Sequence, residues 1–120
     1  MKISFIISLF LIVFFCISCK SADLSAIKAS LPDMSNKTDG VYRGNYTLSG
    51  TPVRVTVDVT VNENNITEIK IIEHRRSPVG KKAEKITEKI IKEQSLDVDA
   101  ISGATGSSKA ILMAVENALQ

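Results

Sequence analysis

Val53-Arg54-Val55-Thr56-Val57-Asp58-Val59-Thr60-Val61 alternates valine with polar residues over its whole length. Side chains of a strand point to opposite faces with period two, so this run predicts a strand with one face on a core and one in water. A helix would scatter the same valines around its circumference. Turn signals bracket the run: Ser49-Gly50-Thr51-Pro52 before it and Asn62-Glu63-Asn64-Asn65 after it. Upstream, Asp39-Gly40 starts a strand over 41–48 with Tyr42, Gly44 and Tyr46 in alternation. Downstream, residues 66–73 read as a third strand with Ile69 and Ile71 facing inward. Sequential strands joined by short turns make an antiparallel meander.

Past this meander the period changes. Residues 78–94 read as a helix, with Val79, Ala83, Ile86 and Ile90 as an apolar stripe among Lys and Glu, and Pro78 in its first turn. Residues 96–101 alternate Leu96, Val98 and Ala100 against Asp97 and Asp99, the pattern of a short fourth strand. The final helix buries Ile111, Val115, Ala118 and Leu119. The fold class that follows is α+β: a small antiparallel β-sheet, a meander of three to five strands, packed against two main α-helices.

The beginning of the chain belongs to a different kind of segment. Lys2 precedes an apolar run over residues 3–15, and Cys16-Ile17-Ser18-Cys19 closes it. This is a secretory signal layout, too short for a comfortable membrane span. Ser18 before Cys19 resembles the bacterial lipoprotein cleavage box, although Cys16 stands where Leu is common. The expected organisation is a lipoprotein-type signal peptide over 1–18, a tether over 19–38 and one domain over 39–120. Cys19 is the expected lipidation site; the other readings are an uncleaved N-terminal anchor, or cleavage with a free Cys19. Each places the domain outside the cytoplasm, and the expected localisation is membrane-anchored at the periplasmic or cell-surface side. Leu24, Ile27 and Leu31 have helical spacing, so the tether admits a short helix before Pro32. Fully extended, it reaches roughly 60 Å.

Composition narrows the function. All 4 Phe lie in the signal segment, so Tyr42 and Tyr46 are the aromatics of the domain. Both Cys precede residue 20, which excludes disulfide scaffolds, cysteine zinc sites and iron–sulfur ligation in the domain, and no other metal-ligand spacing is present. The chain has 15 Lys+Arg and 13 Asp+Glu, with no basic face interleaved with aromatics, so nucleic acid is not an expected partner. Redox chemistry in such a domain must come from a bound cofactor.

The chemistry-bearing stretch is Asp99-Ala100-Ile101-Ser102-Gly103-Ala104-Thr105-Gly106-Ser107-Ser108, which opens the last helix. A helix start presents unpaired N–H groups and a partial positive charge, a natural anion site. One reading of 102–108 is an ordinary turn capped by Ser107 or Thr105. The other is a pocket for something phosphorylated, because a single cap leaves the remaining hydroxyls and the small Gly and Ala residues unexplained. The P-loop spacing is absent.

Asp99-Ala100-Ile101-Ser102-Gly103-Ala104-Thr105 resembles the flavinylation motif of the FMN-binding domain family, which includes the flavin-carrying subunits of sodium-pumping NADH:quinone reductase. Asp39-Gly40-Val41-Tyr42-Arg43-Gly44, the valine strand and the strand ending at Glu73-His74 are also similar to that family. The resemblance implies that Thr105 carries FMN through a phosphoester to its side-chain oxygen, installed from FAD by a separate, divalent-metal-dependent flavin transferase. It implies that Asp99, Ser102, Gly103 and Ala104 are read by that transferase or shape the phosphate pocket. Backbone N–H groups of Gly106, Ser107 and Ser108 would then meet the phosphate. His74 is either a strand-end residue making a local hydrogen bond or a flavin contact. Family members often carry an acidic residue after this His, whereas Arg75 and Arg76 stand here, a pattern suited to an acidic partner.

The expected function is an extracytoplasmic FMN-binding electron-transfer module, a redox carrier more than a stand-alone enzyme, with no catalytic residues of its own. Its redox partners would be proteins or a membrane electron-transport complex. The alternatives are a small flavin-dependent reductase of a soluble acceptor, or a non-flavin binding lipoprotein retaining the fold.

Overall fold

The computed structural model describes residues 28–75 and 78–120; of Pro78 and Val79 only the backbone is described. The signal segment 1–18, the lipidation site Cys19, the tether up to Ile27 (with Leu24) and Arg76 lie outside the described residues. The strands are β1 (Gly40–Thr47), β2 (Arg54–Asn62) and β3 (Asn65–Arg75). A 3-10 helix (Pro78–Lys85) leads into α1 (Ile86–Glu93), and α2 (Thr105–Leu119) ends the chain. The sheet is an antiparallel meander in the order β1-β2-β3. The α+β class and the sheet-on-helix arrangement are as expected, with the sheet at three strands.

The valine strand is central. Val55, Val57, Val59 and Val61 are fully buried, and Arg54, Thr56, Asp58 and Thr60 face outward. On that outer face Arg43 donates to both carboxylate oxygens of Asp58, at 2.7 and 2.8 Å, which holds the Asp58 carboxyl below its ordinary value. The β2–β3 turn places Glu63 and Asn64 at φ 49° and 63°, the left-handed pair of a two-residue hairpin. Tyr42 and Tyr46 stand opposite Val59 and Val55 on the inner face and pack against the core.

β3 departs from simple alternation. Its pairing slips between Thr56/Val57 and between Thr60/Val61 of β2, leaving Thr67 and Ile72 as extra residues in β3. Each bulge switches the inward parity. Ile66 and Ile69 are therefore buried, Ile71 is half-buried, and His74, opposite Val55, faces inward. The expected inward pair Ile69 and Ile71 thus gains Ile66, which the switch of parity at Thr67 turns inward.

Three further expectations are corrected. Residues 78–94 are not one α-helix: the first half is 3-10, although Ala83, Ile86 and Ile90 are buried as the stripe requires. Residues 96–101 form no strand; Leu96 is buried and Val98 and Ile101 are packed on the core without a ladder. The tether is not free to residue 38. Ala29, Leu31 and Met34 pack against the core, no helix precedes Pro32 from Lys28 on, and Lys37 Nζ donates to the Leu119 carbonyl. No helix among the described residues is long and apolar enough to cross a membrane.

α2 lies across β1 and β2, and α1 against β3. The closest approach is at Gly44, where an added Cβ would stand 2.1 Å from the Ala114 carbonyl oxygen and 2.4 Å from the Ala118 nitrogen. Gly44→Ala therefore forces the helix off the sheet. We expect it to lose at least about 2 kcal/mol of stability, read as a lower urea midpoint. An unchanged midpoint would mean that α2 is not seated on β1.

Candidate functional site

The site grows from the last turn before α2. Ala104 N–H donates to the Ile101 carbonyl at 3.0 Å, closing a turn whose third residue, Gly103, has φ 78°. Such a turn needs a positive φ there, which glycine adopts without strain. Ser108 then ties this turn to the helix. Its hydroxyl donates to the Ala104 carbonyl at 2.7 Å and accepts from Ile101 N–H at 3.0 Å, and it is fully buried.

The helix starts with no side-chain cap. Ala104 is the N-cap, and neither Ser107 nor Thr105 caps it as expected. The first intrahelical bond runs from Ser108 N–H to the Ala104 carbonyl at 2.9 Å. Ser108 N–H is thus engaged, so the expected anion donors shift by one: Thr105, Gly106 and Ser107 carry the N–H groups that precede that bond. No acidic residue lies in the first turn to offset the positive helix end. Ser102, Gly103 and Thr105 are exposed, as is Asp99, whereas Ala104, Ser107 and Ser108 are buried.

β1 runs beneath α2 in the opposite direction. Asn117 donates to the Asn45 carbonyl at 2.8 Å near the helix's far end, and Gly106 sits beside Leu48 near its start. The helix start therefore lies at the sheet end formed by Leu48, Val55 and His74.

His74 is the second feature of that end. Its side chain is 3 % exposed, and Nδ1 lies 3.1 Å from Glu84 Oε1 of the 3-10 helix. Its Nε2 is buried without a hydrogen-bond partner. A buried polar atom left unpaired costs about 1–3 kcal/mol, so this nitrogen is suited to a ligand atom. Neither the burial of His74 nor Glu84 as its partner was legible in the sequence. The bulge at Ile72 decides the first, and bulges leave no periodic signal in an isoleucine-rich run.

Two oxygen-rich features of the motif thus separate in role: Ser108 builds the loop, and Thr105 presents a hydroxyl to solvent. Ser108→Ala should cost about 1–3 kcal/mol by leaving the Ile101 N–H unpaired. Its amide should also exchange faster. Thr105→Ser should stay within about 0.5 kcal/mol of the parent. Equal stability of the two variants would remove the clamp assigned to Ser108.

The residues fit a phosphorylated cofactor with a hydrogen-bonding ring: free N–H donors beside a hydroxyl, an open glycine turn, and an orphaned buried nitrogen at the same end. No curated protein matches the chain. The model of the FMN-binding domain family matches residues 50–120, from the turn before β2 through the end of α2. The chain belongs to the FMN-binding domain family, and its fold carries a flavin-binding module.

Proposed function

We propose that this protein is an extracytoplasmic electron-transfer module that carries FMN as a phosphoester on Thr105. The observation that supports it best is the start of α2. There an exposed hydroxyl stands among three N–H groups that no intrahelical bond uses, with no carboxylate in the first turn. A dianionic phosphate would repel carboxylates and takes such donors readily. FMN, when bound, supplies reversible electron transfer; the chain supplies attachment, orientation and the surroundings of the ring.

Each residue then has a part. Thr105 is the attachment point, and Thr105, Gly106 and Ser107 N–H groups meet the phosphate. Gly103 and Ala104 shape the turn, and Ser108 locks it. Asp99 and Ser102 are exposed, which leaves them open to a flavin transferase. His74 contacts the ring through Nε2, with Glu84 holding the imidazole from behind. Cys19 carries the lipid that anchors the module. Arg54 and Arg75 stand directly opposite one another on the outer face of the same sheet end. Like charges so placed are destabilising on their own. They suit a redox partner with an acidic face.

The test is the intact mass of the protein from its own host, with mapping of the peptide around Thr105. The expected gain is one FMN less one water, located on Thr105. Thr105→Ala should fold and lose the covalent flavin. His74→Ala should keep it and shift the flavin's redox potential. An unmodified mass without flavin absorbance would sink the proposal.

A further inference from the structure

We infer that the N-terminal strap holds the module with its Thr105-bearing side turned toward the lipid surface to which the chain is anchored. This deepens the anchored electron-carrier reading and rests on it. The strap is the described segment from Lys28 to Lys37. At one end Lys37 donates to the Leu119 carbonyl, and its ammonium lies 4.6 Å from the Tyr42 ring centroid. Between the ends Ala29, Leu31 and Met34 pack on the core. At the other end Lys28 lines a cleft of about 490 Å³ together with Ala100, Lys109 and Leu112. The strap therefore runs beside α2 from its last residue back toward its beginning.

That direction decides where the chain leaves the fold. Lys109 follows Thr105 by one helical turn, so the two share a face and lie about 6 Å apart. Lys28 shares Lys109's cleft. The leash from Cys19 to Lys28 thus departs from the side of the molecule that presents Thr105. Lys37 and the Glu63–Asn64 turn lie at the opposite end, where Glu63 N–H donates to the Asp39 carboxylate.

Length turns the exit point into an orientation. Nine residues separate Lys28 from the anchor at Cys19, inclusive of Cys19. Fully extended they reach about 30 Å, at about 3.3 Å each. A domain of this size is itself about 30 Å across by the usual scaling. The far end reaches the surface only if the leash is stretched to its full length across the whole domain, whereas the near side reaches it with the leash relaxed, as a flexible chain prefers. The flavin site is thereby offered to a redox centre within or at the membrane, rather than to a soluble protein approaching from the aqueous side.

The experiment uses the full chain in vesicles of anionic lipid that contain a headgroup spin label. A fluorophore is placed at Thr105→Cys in one variant and at Asn64→Cys in another, so the readout does not need flavin. Mass spectrometry locates each dye and shows whether Cys19 is acylated, and flotation shows whether the chain is bound. We expect several-fold stronger quenching at position 105 than at position 64. Inserting a long Gly-Ser segment after Ser25 should erase most of that difference. Leu31→Ser with Met34→Ser should erase it as well by releasing the strap. Equal quenching at the two positions, or stronger quenching at 64, in vesicle-bound protein overturns the orientation alone. A chain that does not float with the vesicles overturns the anchor, and the orientation with it, whereas the FMN mass on Thr105 is read separately.

Discussion

The contact on which the structure depends is the one between a missing side chain and a helix backbone. Gly44 in β1 lets α2 descend until Ala114 and Ala118 touch the strand. The alanines at 110, 114 and 118 recur every four residues and keep that face of the helix thin. The close seat fixes the tilt and axial position of α2, and with them the place of its first turn. Asn117, donating to the Asn45 carbonyl, pins the register at the other end. A rigid sheet and a rigid helix thus aim a short glycine turn, which is how a fold this small positions a site on a loop.

Around that seat the polar groups divide between structure and site. Ser108 has both its bonds made and is buried. Gln94, in the left-handed conformation after α1, uses its amide to pair with both backbone groups of Ile66, tying α1 to the β3 edge. These groups are satisfied internally and hold the frame. The N–H groups at the start of α2 and His74 Nε2 are not, and they gather at one end of the sheet. In a native structure an unsatisfied buried atom calls for an explanation, and in the proposed function the flavin ring supplies one.

The strands, the final helix and the glycine loop before it were legible in the sequence because each rests on local physics. Alternating valines dictate a two-faced strand, and small hydroxyl residues before an apolar helix dictate a loop with free donors. The inward direction of His74 was not legible, because two bulges in β3 change parity without changing composition. The failed strand at 96–101 has a similar cause. Alternation describes which residues are buried, and a ladder also needs a neighbouring strand, which the meander does not offer there.

By itself the sequence determined the α+β class, the central strand and the helix that follows the Ser-Gly-Ala-Thr turn. These are consequences of periodicity and of backbone chemistry within a few residues. Tertiary structure alone decided which N–H groups stay free, that Ser108 is a clamp, that Glu84 backs His74, and that the strap lies along α2 from Leu119 toward Lys109. Each of those depends on groups far apart in the chain meeting at hydrogen-bond distance, and only close packing brings them together.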